Sequence, residues 1–398
     1  MRAAAARSSR NASMDLQLVT TQEEFAVLRA DWDRLHGRCA NPSVFLTHEW
    51  FDAAWQWRQR SAQLYLLCCR RSRELFGILP LIREHKPERY PGRALEFLTV
   101  PDTQTCDLLI GEEHRLAVVG ALTDGLLRRQ GDWDVLRLRY LPPNSVAATT
   151  FASMLSARGS RSLIQENPAN PFVRLASSWE SYYAKRSRRL KKANNLALNR
   201  LRRAGDLRIE WFGAAAGTAT DVDRVVDTIS GISARSWKTR TGNSLDNAGP
   251  HSFIERLSRL AESRGWLSVW ILTVNRQAVA MEYQLVADGN VYALRSDFDA
   301  RHESNSPGAH LGRHLLEQLF GRGLNRYLMG PGENQYKYRW AEGAEPTYEM
   351  TVYGHSPRGQ ALAAWEIGIK PIIRTVRDRI VKITSSPERK ENAAVSDK

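Results

Sequence analysis

Hydrophobic and polar positions along this chain follow two rhythms, one of period two and one near 3.6, and the switches between them mark out the elements. The clearest block runs from Leu267 to Trp340. LSVWILTV, AVAMEYQLV and VYALRSDF are β-branched and aromatic runs separated by Asn275-Arg276 and Asp288-Gly289-Asn290, which predicts a three-strand meander. A helix is expected next. Ser306 takes the N-cap position and Pro307 suits the first turn; Leu311, Leu315, Leu316, Leu319 and Phe320 then recur at helical spacing until Gly321 and Gly323 end it. A short strand, NRYLMG, runs into Pro331-Gly332 and the polar, aromatic segment ENQYKYRW.

The first half repeats this order of hairpin, helix and strand. Residues 22–36 predict a helix with Phe25, Leu28, Trp32 and Leu35 on one side, and a second helix follows from Glu49 to Trp57. QLYLLCCR and ELFGILPLI form strands around the turn Arg71-Ser72-Arg73; LEFLTV and CDLLI are short strands. Helices at 112–129 and 146–157 flank the strand WDVLRLRYL. Residues 161–178, with Pro168 and Pro171, predict an extended link. The helix after it, 179–204, carries a run of cations from Lys185 to Arg203, while Leu190, Ala197 and Leu201 share its packing side. LRIEWF and helices at 219–238 and 251–264 lead into the meander. Beyond YEMTVYG, residues 357–384 form a basic amphipathic helix with Trp365, Ile369, Ile372 and Ile373 on its apolar side; residues 1–15 and 385–398 have the composition of disordered tails.

The order of elements, the SPG helix start and the G-x-G-E-x-x-Y-K-x-R-W string from Gly330 to Trp340 resemble the GNAT-type acyltransferase domain of the CelD family, linked to bacterial cellulose and exopolysaccharide synthesis. That family is similar in turn to the FemAB aminoacyl-tRNA-dependent transferases, which carry two GNAT-like lobes. The resemblance covers roughly residues 20 to 354 and implies an α/β (α+β) fold of two GNAT-like lobes, each a mixed, mostly antiparallel sheet flanked by helices. The expected division is an N-terminal lobe at 16–160, the link at 161–178 and a C-terminal acyltransferase lobe at 179–356.

Composition narrows the class without choosing a substrate. With 42% hydrophobic and 25% charged residues the chain is an ordinary globular protein, and no apolar run reaches the roughly 18 residues of a spanning helix. Four cysteines, Cys39, Cys68, Cys69 and Cys106, lack metal spacing, and His48, His251, His302, His310 and His314 show no HExxH pattern, so no metal site is expected. A reducing cytoplasm fits, with contact at the inner face of the membrane as an option. The net charge of +14 points to an anionic partner: nucleic acid, a membrane surface or a phosphorylated ligand.

Acyl transfer needs aligned reactants, a donor aimed at the carbonyl oxygen, and groups that manage two protons. The resemblance implies that the third meander strand, near Arg295 to Phe298, splays from NRYLMG to admit the donor's arm. It also implies that Ser306, Pro307, Gly308 and Gly312 hold the pyrophosphate of acetyl-CoA or another acyl-CoA at the helix start. SPGAHLGR departs from the usual R/Q-x-x-G-x-G/A loop, so the donor stays open between coenzyme A and aminoacyl-tRNA. Glu282, which interrupts an apolar strand, and Asp297 are candidate proton acceptors; Tyr336 is a candidate acid, and Lys337 a candidate for the oxyanion. Arg188 and Lys192 on the basic helix, and Glu333 at a strand end, are candidate substrate or phosphate contacts. The leading expectation is an acyltransferase acting on an amine or hydroxyl of a sugar, glycan or envelope precursor. Its rivals are a FemAB-like peptidyltransferase contacting tRNA and a non-catalytic accessory protein of a polysaccharide synthase.

Overall fold

Three tight turns set the scaffold of the computed structural model, which describes residues 14–87, 92–214, 220–332 and 334–373. Ser72-Arg73, Asn275-Arg276 and Asp288-Gly289 all have positive φ at both central positions, the geometry whose twist matches that of a β-hairpin. They join β2 (Ala62–Arg71) to β3 (Glu74–Glu84), β9 (Leu267–Val274) to β10 (Gln277–Ala287), and β10 to β11 (Asn290–Phe298).

The two halves repeat one pattern. The first runs β1 (Asp15–Val19), α1 (Gln22–Val27), α2 (Arg29–His36), α3 (His48–Arg58), β2, β3, β4 (Ala94–Phe97), the two-residue β5 (Leu109–Ile110), α4 (Arg115–Arg128), β6 (Val135–Leu141), α5 (Ala152–Ala157) and β7 (Arg161–Arg174). After α6 (Trp179–Ala184) and α7 (Arg188–Ala204), the second runs β8 (Leu207–Phe212), α8 (Val222–Ser233), α9 (Ala248–Ser263), β9, β10, β11, α10 (Pro307–Leu319), β12 (Arg326–Leu328), α11 (Gln335–Trp340) and β13 (Gly343–Tyr353). α12 (Pro357–Ala363) follows.

All of these strands belong to one continuous mixed sheet ordered β1-β2-β3-β4-β6-β13-β7-β12-β11-β10-β9-β8, with β5 beside β3. Only β4–β6 and β11–β12 are parallel among the described strands. The order is a near-palindrome, and its centre is an exchange. β7, which ends the first half, pairs with β12, while β13, which ends the second, pairs with β6. The segment 161–178, expected as a link, therefore supplies a strand at the middle of the sheet, and the halves share backbone hydrogen bonds.

Local chemistry explains the breaks in the expected helices. Ser187 caps α7 by accepting from Leu190 N–H, so the basic segment divides into α6 and α7. Leu190 and Leu201 join Leu311, Leu315 and Trp270 in one buried cluster and Ala197 is buried on the same helix, leaving the cations outward. The string QYKYRW, given no element from the sequence, forms α11, whose C-terminal carbonyl at Trp340 accepts from Tyr182 Oη at 2.5 Å and Arg186 at 2.8 Å. At the C-terminus the helix begins at Pro357 as expected and carries exposed Trp365, Ile369, Ile372 and Ile373; its expected extension past 373, the tail at 385–398 and residues 1–13 lie outside the described residues, while Asp15, expected in the N-terminal tail, begins β1 by pairing with β2. No described helix is long and apolar enough to cross a membrane.

Candidate active site

The parallel pair β11–β12 holds for only three residue pairs, Asn290–Arg326, Val291–Tyr327 and Tyr292–Leu328. Beyond them β12 turns to β7, where Met329 N–H donates to Pro171 O, and β11 continues with β10, so a wedge opens between the strands. A bulge sits at its apex. Tyr283 faces Arg295 while Gln284 faces Ala293, which leaves Leu294 as an extra residue in β11. Gly330, at φ +77°, closes the other side; a Cβ there would stand 3.5 Å from Ala293 O.

The first half reaches into this wedge. Gln104 donates to Ala293 O at 2.9 Å and is itself held by Asn170 at 3.0 Å. Asp102 accepts from Arg295 at 2.7 Å, with both side chains almost wholly buried, and Arg295 also donates to Asn243 O. Arg295, expected to contact the donor on the strand that admits its arm, is thus committed to tying the two halves together. A buried cation without Asp102 would be costly, which explains its place at the interface.

At the wedge mouth, Glu282 is buried, and its Oε1 accepts from Tyr327 Oη at 2.5 Å and Gln284 Nε2 at 2.7 Å. Burial pushes its carboxyl above the ordinary value, while Tyr327, Gln284 and the charge of Lys337 pull the other way. Gln284 is fixed in turn by Ser268 and Trp270, so the carboxylate is oriented by a relay of donors. Lys337 enters from α11. Its Nζ donates to Gly330 O at 2.8 Å and Pro331 O at 3.2 Å, and burial, with Lys238 nearby, lowers it to about 8. Tyr336 is half exposed, yet burial of its hydroxyl and the charges of Glu282 and Asp297 raise it to about 12, so it keeps its proton at neutral pH. Asp297 is buried against Lys238 Nζ at 2.6 Å and accepts from Ser233 at 2.9 Å, which makes it an anchored partner rather than a free base.

The helix start is arranged differently from expectation. Ser306 is left-handed, at φ 54°, and its side chain makes no capping bond, because that backbone turns it away from the first N–H groups. Pro307 occupies the first turn as expected; a Cβ on Gly308 would meet Phe298 only at 3.6 Å, and one on Gly312 would meet nothing within 4 Å. There is therefore room for a ligand over that turn. Burial, His314, Arg313 and Arg202 together push His310 down to about 4, which places cations of α7 and α10 around this helix end. Arg188 and Lys192 lie exposed on α7, and Glu333 lies outside the described residues.

Glu282, Tyr336 and Lys337 come together, with Asp297 behind Tyr336; Arg188 and Lys192 remain on the surface. Tyr327, Gln104 and Asp102 were missed. Tyr327 sits in a three-residue strand where an aromatic reads as core, and the other two come from a loop some 190 positions from their partners, 189 and 193 residues away in sequence. Among the described residues no cluster of His, Cys, Asp and Glu has the makings of a metal site.

Residues 185–338 match the family model described as an acetyltransferase (GNAT) domain. No curated protein matches the chain significantly. Among solved structures the chain is similar to FemX, at 11% identity and a TM-score of 0.55, covering 89% of this chain and 100% of that one. A conserved protein of unknown function from Bacteroides thetaiotaomicron is similar at 12% identity and a TM-score of 0.52, over 85% of this chain and 100% of that one. At such identities the likeness is one of fold. A GNAT-type acetyltransferase domain is thus present in this chain, set in a mixed α/β fold that both of those structures share.

Proposed function

We propose that the protein is an acyltransferase that moves an acyl group from acyl-CoA to an amine or hydroxyl of a sugar, glycan or envelope precursor at the mouth of the β11–β12 wedge. The observation that carries this reading is the grouping of an oriented buried carboxylate, a protonated phenol and a depressed lysine beside a strand bulge. Glu282 takes the acceptor's proton as the bond to the acyl carbon forms; Lys337 faces the charge that develops on the carbonyl oxygen; Tyr336 returns a proton to the departing thiolate. The uncapped start of α10, with Gly308 and Gly312, offers backbone N–H groups and a helix dipole to the diphosphate. Support for the precursor class is the family resemblance of the Gly330–Trp340 string, with which the basic surface is compatible.

The test is turnover of acetyl-CoA with a panel of amino sugars and glycan precursors by wild type, Glu282→Gln and Lys337→Met. Transfer lost about 100-fold or more in both variants supports the assignment; equal rates in all three remove it. A second reading uses aminoacyl-tRNA as donor. It is favoured by Gln104, which occupies the Ala293 carbonyl inside the wedge, and by the exposed cations of α7. Salt-dependent, ribonuclease-sensitive association supports that donor. The reading places the protein in the cytoplasm; the exposed Trp365, Ile369, Ile372 and Ile373 support peripheral contact with an anionic membrane.

A further inference from the structure

A recess of about 270 Å³ opens beside the proposed reaction centre, between the two halves. We propose that this recess, walled by Arg139, Tyr140, Asn167, Pro331, Gly332 and Glu349, binds the anionic group, carboxylate or phosphate, of the acyl acceptor. The inference rests on the acyltransferase reading for the identity of the ligand, but its chemistry is read from the recess itself.

Position comes first. A Cβ on Gly332 would stand 3.6 Å from Lys337 Nζ, so one wall of the recess is the loop that holds the lysine. A group bound there lies within a few bonds of the wedge mouth.

Charge comes second. Arg137, two residues before Arg139 on β6, is engaged with Glu96 at 3.8 Å and Glu349 at 3.5 Å, and Glu96 also binds Arg58 at 2.6 Å. Glu84 completes this cluster through Arg58 at 3.1 Å; burial and Glu96 raise its carboxyl, while Arg58 and Arg137 pull the other way. The ion pairs of this cluster all go to Arg58 and Arg137. Arg139 is left over. Its Nε is buried without a hydrogen-bond partner, and no acidic side chain among the described residues pairs with it; its nearest aromatic company is the Tyr140 ring, 5.5 Å away. A half-buried guanidinium without a partner is costly, and its planar fork suits two oxygens of a carboxylate or phosphate.

Backbone geometry comes third. Tyr140 adopts φ 62°, a left-handed conformation that costs a side-chain residue roughly 1–2 kcal/mol. Its carbonyl accepts from Cys106 N–H at 2.9 Å, on the loop that carries Asp102 and Gln104. Burial, with the charges of Asp102, Glu349 and Glu96, raises the phenol against the opposing pull of Arg139, so at neutral pH it is an O–H donor. Arg139 and Tyr140 together supply the donors that an anion requires.

Site-specific labelling of the whole protein tests this without any acyl-transfer assay. Phenylglyoxal modification of Arg139 is followed by peptide mass spectrometry, with the exposed Arg276 as internal control. With a Kd of about 1 mM, about 10 mM glucose 6-phosphate slows labelling of Arg139 roughly tenfold, and glucose does not. Protection by glucose 6-phosphate and inorganic phosphate identifies a phosphate ligand; protection by glucuronate and acetate identifies a carboxylate. Absence of protection by every anion, or equal protection by glucose, overturns the proposal. The rise in melting temperature that the protective anion causes should vanish in Arg139→Gln, and the labelling result stands by itself if that variant does not fold. Protection of Arg139 in the wild type, with no acyl transfer from acetyl-CoA to any acceptor of the panel by that same protein, would sink the acyltransferase reading alone.

Discussion

Lys337 shows how a single charged side chain can be buried at a cost to the fold. Its ammonium is buried, held by two carbonyls and lowered from 10.5 to about 8, so unfolding releases it to a medium that binds the proton more tightly. Between those values the unfolded chain holds more protons than the folded one, and stability therefore rises with pH. Compared with Lys337→Met, the wild type should gain about 2 kcal/mol of unfolding free energy between about pH 7.5 and 9.5, as read from urea denaturation. Activity should run the opposite way. If the charged amine faces the oxyanion, the rate falls as pH rises through about 8, and Lys337→Arg moves that limb upward. On the acid side, Glu282 sits above the ordinary carboxylate value, so the rate should fall as pH drops through a point above about 4.5. Glu282, Tyr336 and Lys337 stood out as candidates because a carboxylate in an apolar strand and a lysine between two tyrosines break the local pattern. Tyr327 did not, since its pattern is that of a core residue and its role appears only when Glu282 faces it.

At the scale of elements, turns and long helices follow from local rules, and the hairpin turns lie at the expected residues. The six-residue α11 did not emerge, because so short a helix has little periodicity and depends on tertiary contacts such as Tyr182 to Trp340 O. The exchange of β7 and β13 was also invisible, since strand pairing across nearly 200 residues leaves no mark on alternation. The loop bearing Asp102 and Gln104 makes a testable link between halves. Arg295→Met strands a buried carboxylate and should destabilise the protein by about 3–5 kcal/mol, while the double change with Asp102→Leu should recover part of the loss. A loss in the double variant equal to the sum of the Arg295→Met and Asp102→Leu losses would show that the pair is not coupled.

Across the whole molecule, the shared sheet makes the two halves one folding unit. Residues 14–160 expressed alone lack β7 and β13 and leave β6 with an open edge, so they should aggregate or show no cooperative melt, whereas the full chain should unfold in one calorimetric transition. Two separate transitions would contradict this. The net charge of +14 and the apolar side of the C-terminal helix also belong to this scale: co-sedimentation with anionic vesicles should fall when Trp365 and Ile369 are replaced by Ser, and it should fall with added salt.

The most direct test is calorimetric titration of the purified protein with acetyl-CoA, repeated with Gly308→Glu. That position has room for a side chain, and the added carboxylate would oppose a diphosphate at the start of α10. Binding with a Kd of about 1 µM in the wild type, lost by 100-fold or more in the variant with its fold intact by circular dichroism, is the predicted result. Absence of binding in the wild type, or equal affinity in both proteins, would contradict an acyl-CoA site in this wedge.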